Sequence, residues 1–434
     1  MDMLIRHGLV ASTYAPTRLD IRVQNESIVQ IAPELTPEPG EDVIDAEGLL
    51  VLPGFIDTHV HFRDPGATHK EDFYTGTLAA LAGGVTTILD MPNTQPPTDS
   101  LPHLTAKAAI AGTKAVVDYG FYLGATDTNI EEAATIAREV AAMKLYMGSS
   151  TGSLLVTEFS PIYRHFSTFP LEKPIVVHAE DEQSLKYFGA LGLQDHNQAR
   201  PPVSAQIALG RAIAIAEKTG RRLHVAHTTT QREMELIHEA KQKGVRVTCE
   251  VTPLHLFLNE EDQHRLGNFG KVNPPLRSKS DQAALWRYFN IIDTIGTDHA
   301  PHTREEKEQP YSKAPSGMTG VQTMLPLLLN AVSQGKVSLE AVIERCVVNP
   351  AEIFGLKTKG ALQVGKDADI VLINPEEEYV ISNEQILSRC GWTPFAGTRI
   401  KGKVQRVFLR GHLAYDQGRV LAQPGSGKPV AYQG

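Results

Sequence analysis

Histidine and aspartate side chains stand at the ends of several short apolar runs in this sequence of 434 residues. One run ends in Asp57-Thr58-His59-Val60-His61, and residues two apart on a strand point to the same side. Two imidazoles on one side can bind one metal ion, although a lone His-x-His pair is a weak signal and can also be two buried, hydrogen-bonded histidines. Three further residues of these types follow other apolar runs: His178, His227 and Asp298. Four imidazoles and a carboxylate suit zinc or a similar divalent ion.

Lys144 lies inside another apolar run, AMKLY at 142–146. A buried ammonium is costly, so a lysine in such a run normally forms an ion pair or extends its charged end to solvent. The functional alternative is that its neutral amine reacts with carbon dioxide and the resulting carbamate bridges two metal ions. Composition alone does not choose between these alternatives.

The segment from 54 to 356 contains the elements that must bring these residues together. Its apolar runs predict eight strands, at 54–61, 85–91, 116–124, 142–146, 174–180, 222–227, 245–251 and 293–298. Between the strands, apolar residues recur every three or four positions, as on a helix face, for example in 131–142, 204–220 and 231–244. This alternation predicts an α/β fold, a (β/α)8 barrel of the TIM type, with a doubly wound open sheet as the alternative. In a barrel, the carboxyl ends of the strands meet at one mouth, where these residues would become neighbours.

The two ends of the chain follow a different pattern. Residues 1–53 and 357–434 contain short apolar stretches separated by Gly, Pro and Asn turns, which is typical of antiparallel strands. We therefore predict that the two ends meet and form one small β-sandwich domain, while residues 54–356 form the barrel.

Composition narrows the class of protein. A net charge of -8 without a basic block argues against nucleic-acid binding. Uninterrupted apolar stretches are too short for a membrane span, and the first residues are too polar for a signal peptide. The 3 cysteines match no disulfide framework and no zinc motif, which indicates a reducing compartment and hence a cytoplasmic protein.

Several motifs resemble those of dihydroorotases in the amidohydrolase superfamily, and they occur in the same order. The segments are DTHVHFRDPGATHKED, GGVTTILDMPNT, KLY, VVHAE, HVAH, CEVTPLHLFL, NPPLR and GTDHAPH. The tail WTPFAGTRIKGKVQRVFLRGHLAYDQGRVL is also similar to the dihydroorotase part of the animal multifunctional pyrimidine enzyme. The resemblance extends from about Leu50 to Val420.

The resemblance implies a binuclear metal centre containing two zinc ions, with cobalt or manganese also acceptable to these ligands. His59, His61 and Asp298 would hold the more buried ion, and His178 and His227 the more exposed one. Lys144, modified to N6-carboxylysine by carbon dioxide, would bridge the two ions together with a hydroxide. Some dihydroorotases have an aspartate at the bridging position, whereas this sequence has Lys144.

Substrate-binding residues are also implied by the resemblance. The dihydroorotate carboxylate would be bound by Arg63, Asn93 and His302, because a guanidinium can hold a carboxylate through two parallel hydrogen bonds. The ring amide would contact Asn273. A loop carrying Ser150 and Thr151 would close on the substrate. The alternatives are a salt bridge from Arg63 to Asp64 or Asp72, a turn role for Asn273, and helix capping by the loop hydroxyls.

The implied reaction is the reversible cyclisation of N-carbamoyl-L-aspartate to L-dihydroorotate in pyrimidine biosynthesis, with Asp298 as the general acid and base. One alternative is another cyclic amidase, such as an allantoinase or hydantoinase. Another is a dihydroorotase-like chain without activity that serves as a partner of aspartate transcarbamoylase. We expect a homo-oligomer, with a dimer favoured, and docking to aspartate transcarbamoylase is possible within this family.

Overall fold

The computed structural model describes residues 2–192 and 195–433. Its strands are β1 (Met3–Val10), β2 (Thr17–Gln24), β3 (Ser27–Ala32), β4 (Asp42–Asp45), β5 (Leu50–Pro53), β6 (Phe55–Val60), β7 (Val85–Asp90), β8 (Asp118–Gly124), β9 (Ala142–Tyr146), β10 (Ile175–His178), β11 (Leu223–Val225), β12 (Val247–Val251), β13 (Thr294–Ile295), β14 (Ile370–Val380), β15 (Arg399–Leu409), β16 (His412–Asp416) and β17 (Arg419–Val420). They belong to two separate sheets.

The helices lie mainly between the strands of the second sheet. They are α1 (Phe73–Ala82), α2 (Leu101–Lys114), α3 (Ile130–Thr135), α4 (Phe159–Thr168), α5 (Glu182–Ala190), α6 (His196–Ala199), α7 (Pro202–Thr219), α8 (Gln231–Gln242), α9 (Pro253–Phe257), α10 (Glu260–Leu266), α11 (Lys279–Arg287), α12 (Arg304–Lys307), α13 (Met324–Ser333), α14 (Leu339–Ile343) and α15 (Asn349–Phe354). A π-helical turn, Glu344–Val348, joins α14 to α15.

The eight strands β6 to β13 form one parallel sheet in sequence order. The gap between its edges is closed beyond β13, where Val60 pairs with His299 and the His61 amide donates to the His299 carbonyl over 2.8 Å. The predicted (β/α)8 barrel is therefore confirmed, and the open-sheet alternative is wrong. Strand β8 is buried along its whole length, as expected of a strand that is covered on both faces.

Helix boundaries agree with the sequence patterns in two of three cases. The patterns at 204–220 and 231–244 correspond to α7 and α8. The pattern at 131–142 was expected to be one helix, but α3 ends at Thr135, a short 3-10 turn follows, and Ala142 already begins β9. The apolar residues at the end of this pattern are buried because they enter the barrel wall.

The first sheet contains nine strands and combines both ends of the chain. Strand β5 pairs antiparallel with β14, so that Pro53 lies opposite Ile370. This pairing confirms the prediction that the termini meet. The proposed boundaries at residues 53 and 357 remain a prediction.

The last residues after β17 leave this sheet and return to the barrel. Pro429 pairs with Tyr119 beside the start of β8, and Tyr432 pairs with Leu356. The ammonium of Lys173 lies 4.1 Å from the centre of the Tyr432 ring. These residues cover the amino-terminal end of the barrel, opposite the mouth. Among the described residues, no helix has the length and apolar character needed to cross a membrane.

Candidate metal centre

His59, His61 and Asp298 meet at the barrel mouth although Asp298 lies more than two hundred residues further along the chain. One potential ligand atom from each lies within 4.8 Å of the other two, and all three side chains are buried. The Nε2 atoms of His59 and His61 lie 3.4 and 3.1 Å from Oδ1 of Asp298. Strand β6 places the two imidazoles on one face, as its alternation predicts.

Hydrogen bonds on the far side of each imidazole set its orientation. The Nδ1 atom of His59 lies 2.6 Å from Oε1 of Glu250, and that of His61 lies 2.6 Å from the amide oxygen of Asn93. Each of these oxygens accepts a hydrogen bond from Nδ1–H, which leaves the lone pair of Nε2 free to bind a metal ion. Such partners are typical of histidines that bind metal ions.

His178 and His227 form a second group beside the first. Their Nδ1 and Nε2 atoms are 2.9 Å apart, and the His227 ring lies 5.4 Å from the His59 ring between their centres. The carboxylate of Glu180 accepts a hydrogen bond from Nε2 of His178 over 2.9 Å, and Arg200 contacts that carboxylate at 2.5 Å. Glu180 therefore orients His178 through Nε2, whereas the partners of His59 and His61 contact Nδ1.

Burial favours the neutral form of three of these imidazoles. Burial lowers the pKa of His59 and His227 well below the ordinary value, and it also lowers the pKa of His178. Although burial alone would raise it, the pKa of Asp298 is lowered because the imidazoles of His59 and His61 face its carboxylate. Neutral imidazoles and an ionised carboxylate are the forms that bind divalent ions.

Lys144 projects from β9 into the same region and has no exposed surface. In the described part of the chain, its Nζ atom has no hydrogen-bond partner. Burial lowers the pKa of Lys144 to about 8. Lys144 therefore neither forms an ion pair with a described residue nor extends to solvent, which are the two ordinary roles of such a lysine. A buried amine with a lowered pKa is suited to react with carbon dioxide.

Three residues at this mouth have a strained backbone conformation. Arg63, His227 and Asp298 have φ angles of 61, 36 and 49°, a region that residues other than glycine seldom occupy. Such strain costs about 1–3 kcal/mol per residue and is typically retained where function requires it.

A small cavity adjoins the His61 and Asp298 side chains. It is lined by Arg63, Asn93, Ser150, Thr151, Val272, Asn273, Ala300, Ser316 and Gly317, in addition to those two. Five of the six residues proposed for substrate binding thus line one cavity. The sixth, His302, is buried directly behind it, with Nε2 3.3 Å from Nη2 of Arg63.

Two of the ordinary alternatives, a salt bridge of Arg63 to Asp64 or Asp72 and helix capping by the loop hydroxyls, are not realised. Asp64 pairs with Lys114 and Asp72 with Arg389, whereas Arg63 donates to the carbonyl of Pro301 over 3.2 Å. Helix α4 begins at Phe159, well after Ser150 and Thr151, and Glu158 precedes it. The loop hydroxyls therefore do not cap this helix.

Asn93 and Asn273 are already held in place by protein groups. The Asn93 amide nitrogen donates to the carbonyl of Thr151 over 2.7 Å, which fastens the loop to the mouth. The amide oxygen of Asn273 accepts a hydrogen bond from Nε2 of His196 over 2.9 Å. Asn273 thus keeps its amide nitrogen as a donor, while Asn93 has one remaining N–H for a ligand.

A model described as the amidohydrolase family matches residues 50–414. The chain belongs to the amidohydrolase family. Its fold, with a barrel that carries a separate sheet from the termini, agrees with this assignment. The family is metal-dependent, and the chain is accordingly a hydrolase with candidate metal-binding residues at its barrel mouth.

The relatives of this chain include proteins named as dihydroorotases and proteins named as hydantoinases. The chain is 39% identical over 414 residues to a dihydroorotase of Halobacterium salinarum, covering 94% of this chain and 95% of the relative. It is 40% identical over 392 residues to the multifunctional protein CAD of Squalus acanthias, covering 90% of this chain and 16% of that much longer protein. The solved structure of an L-hydantoinase (dihydropyrimidinase) from Arthrobacter aurescens matches with a TM-score of 0.94 at 31% identity, covering 99% of each chain.

Several residues of this amidohydrolase site were not identified from the sequence alone. Glu180 and Arg200 orient His178, and His196 holds Asn273. Glu180 stands two residues after His178 and shares its face, so strand alternation offered a signal for it. The sequence around His196 gives no such signal.

Proposed function

We propose that this amidohydrolase is a dihydroorotase, which closes N-carbamoyl-L-aspartate to L-dihydroorotate with loss of water and catalyses the reverse ring opening. The substrate in both directions carries a carboxylate beside the reacting amide. The observation that supports this substrate is Arg63, which is 6% exposed and lines the cavity next to His61 and Asp298. Among the described residues, no carboxylate lies within salt-bridge distance of this guanidinium, so an anionic ligand would supply its missing partner.

The donor set fits two divalent metal ions, with zinc the first choice. We propose that His59, His61 and Asp298 would hold one ion and His178 and His227 the other, with a carbamate on Lys144 as a ligand that the two ions would share. The amine of Lys144, which has no hydrogen-bond partner among the described residues, supports this assignment, because a carbamate formed on this buried atom could bind the metal ions. When bound, such ions supply a nucleophilic hydroxide near neutral pH and polarise the amide carbonyl.

The protein side chains bind the substrate and move the proton. Arg63 and His302 bind its carboxylate, and Asn93 and Asn273 donate to the carboxylate and the ring amide. In ring opening, Asp298 accepts the proton of the attacking water and passes it to the leaving ring nitrogen. In ring closure, the same carboxylate removes the proton from the ureido nitrogen that attacks. The loop carrying Ser150 and Thr151 covers the substrate and excludes bulk water.

A hydantoinase is the second candidate, because solved hydantoinases have the same architecture over nearly the whole chain. The rings of hydantoin and allantoin have no carboxylate and would leave the Arg63 guanidinium without a partner. Dihydroorotase therefore agrees better with the cavity.

The test is a comparison of substrates on the metal-loaded protein. We expect turnover of dihydroorotate and carbamoyl aspartate, and little or none of hydantoin or allantoin. Arg63→Lys retains one positive charge but loses the paired hydrogen bonds, so KM for dihydroorotate should rise about 10-fold or more while bound metal per chain is unchanged. Hydrolysis of hydantoin without that of dihydroorotate would reject the proposal. A chain that binds metal poorly and acts on neither substrate would instead support a structural partner of aspartate transcarbamoylase.

A further inference from the structure

Lys70 reaches the rear of the His302 imidazole and has no assigned role. Its Nζ atom lies 3.2 Å from Nδ1 of His302 and 2.9 Å from Oε1 of Glu306. On the other side of the ring, Nε2 of His302 lies 3.1 Å from the carbonyl oxygen of Ser316 and 3.3 Å from Nη2 of Arg63. His302 is therefore contacted at both nitrogens by groups that can only donate or only accept.

These neighbours select one of the two neutral forms of the imidazole. The Lys70 ammonium can only donate, so it favours an unprotonated Nδ1, and the Ser316 carbonyl can only accept, so it favours a proton on Nε2. In the opposite form, Lys70 would face an N–H and the Ser316 oxygen would face a lone pair. That form would keep two longer contacts, from Nδ1–H to Oε2 of Glu306 at 3.5 Å and from an Arg63 N–H to Nε2 at 3.3 Å. The selected form has the two shorter contacts, at 3.2 and 3.1 Å, and one opposed pair, between Nε2–H and Arg63, where the other form has two.

The selected form has a consequence for ligand binding. The Nε2–H of His302 and the N–H groups of Arg63 meet at 3.3 Å, and neither can accept from the other. Arg63 and Ser316 also line the cavity beside His61. Two converging donors at the wall of a cavity form a binding point for an oxygen anion, whereas an unprotonated Nε2 would repel one.

We propose that Lys70 is a positioning residue that holds His302 as the Nε2–H form and thereby sets the specificity of the site for a carboxylate-bearing ring. The proposal rests on the function proposed above and deepens it. Lys70 acts through His302 and does not itself need to touch the substrate.

The surroundings keep this arrangement rigid. Oε1 of Glu306 fixes the Lys70 ammonium, the Trp392 indole donates to the His302 carbonyl over 2.8 Å, and the Cys390 thiol contacts the Lys70 carbonyl at 3.1 Å. Four charged groups act on the His302 imidazole: Arg63, Lys70, Glu306 and Lys307. Burial, set against a contact with Glu306, lowers the pKa of His302 to about 3, so the ring is neutral at ordinary pH.

The first measurement is the protonation pattern of His302 by nitrogen-15 NMR of the full-length, zinc-loaded chain labelled in its histidines. The His302 signals are assigned by their absence in His302→Gln. We expect Nε2 to carry the proton in the natural protein and Nδ1 to carry it in Lys70→Met, where Glu306 becomes the partner. A proton that stays on Nε2 in Lys70→Met would overturn the proposal.

The second measurement separates binding from turnover. In Lys70→Met, KM for dihydroorotate should rise about 10-fold or more, as for the loss of a hydrogen bond to a charged group, while kcat changes much less. Lys70→Arg keeps a donor and should restore most of the affinity. Lys114→Met is the matched control. Lys114 also pairs with a carboxylate, that of Asp64, which lies in the same segment as Lys70, but Lys114 does not reach His302. Its KM should stay near that of the natural protein.

The two measurements distinguish the proposals. Equal KM values in Lys70→Met and Lys114→Met, or a fall in kcat with an unchanged KM, would reject the role of Lys70. If neither the natural protein nor any variant turns over dihydroorotate, the proposed function fails. The NMR result alone then decides whether Lys70 positions His302.

Discussion

At the scale of single residues, the mouth of the barrel contains groups whose ordinary partners are missing. Among the described residues, the buried amine of Lys144 has no hydrogen-bond partner and the buried guanidinium of Arg63 has no carboxylate partner. Leaving such groups unpaired costs free energy that folding alone does not recover. Both groups lie beside His59, His61 and Asp298, so a bound ligand and a chemical modification are the simplest ways to satisfy them.

Removal of the Lys144 amine should abolish the metal centre. In Lys144→Ala, we expect loss of bound metal and of activity, because no other described residue is positioned to provide the bridging carbamate. Short carboxylates such as acetate or propionate should restore part of the activity by entering the space left by the side chain. Metal per chain and kcat are the measurements, and full activity in Lys144→Ala would remove the bridging role.

The pH dependence of stability should reveal the buried amine before it is modified. Burial lowers the pKa of Lys144 to about 8 in the folded chain, from 10.5. Between these values the unfolded chain binds more protons, so the stability of the metal-free protein, kept free of carbon dioxide, should rise with pH from about 8 to about 10.5. The gain is about 3 kcal/mol and should be absent in Lys144→Met. Urea unfolding at several pH values measures it, and parallel curves for the two proteins would contradict it.

At the scale of elements, the carboxyl ends of short strands set the positions of the ligands. Strand β6 presents His59, β10 ends at His178, and β12 presents Glu250, which accepts hydrogen bonds from both His59 and Thr58. Side-chain direction alternates along each strand, and at these positions it points the side chain into the mouth. Since β13 lies between β12 and the closing strand β6, the carboxylate of Glu250 reaches the imidazole of His59 past β13.

Gly296, which directly follows β13, leaves room for this carboxylate. A methyl group added at Gly296 would lie 2.2 Å from Oε2 of Glu250 and 2.8 Å from Oγ1 of Thr58. Gly296→Ala should therefore displace Glu250, release Nδ1 of His59 and weaken metal binding about 10- to 100-fold. Metal titration of the apo protein measures the change.

Gly210→Ala is the matched control, because nothing lies within 4 Å of the added methyl group. Gly210 is inside α7, so alanine should leave metal affinity unchanged and stabilise the fold by about 0.5–1 kcal/mol. Equal metal affinities in the two variants would show that Glu250 does not support His59.

At the scale of the whole molecule, a buried ionic group connects the sheet of the termini to the barrel. The Lys359 ammonium lies 2.5, 2.9 and 2.7 Å from carboxylate oxygens of Asp118, Asp367 and Asp369. Asp118 begins β8 of the barrel, and Asp369 directly precedes β14 of the other sheet. Although burial opposes its charge, the three aspartates raise the pKa of Lys359. The three carboxylates resemble a metal site in spacing, but the ammonium already occupies their centre.

Lys359→Met should destabilise the protein by about 3–5 kcal/mol, because the buried carboxylates of Asp118 and Asp369 and the half-buried one of Asp367 would lose the ammonium between them. The unfolding midpoint in urea measures this loss, and metal content at the barrel mouth should be unchanged. Lys401→Met removes an exposed pair with Glu376 and serves as the control, with an expected cost below about 1 kcal/mol. Similar losses in the two variants would show that the ionic group does not hold the two parts together.

The amino-acid sequence by itself determined the chemical types at the mouth and the elements that carry them. The alternation in Asp57-Thr58-His59-Val60-His61 and the repeated strand and helix patterns predicted the barrel, because side-chain direction along a strand is a local property. The meeting of both termini in one sheet was also predictable from their shared antiparallel pattern. Helix α3 was overestimated because buried apolar residues before β9 imitate a helix face.

Only the tertiary structure decided which partner each side chain has. The contact between Lys70 and His302 joins residues 232 positions apart, and that between His59 and Glu250 joins residues 191 positions apart. Local spacing contains no information about such pairs, since the closure of the barrel sets their distances. Packing around the mouth also decides that, among the described residues, Arg63 has no carboxylate partner and Lys144 has no hydrogen bond. No single stretch of the sequence contains this information.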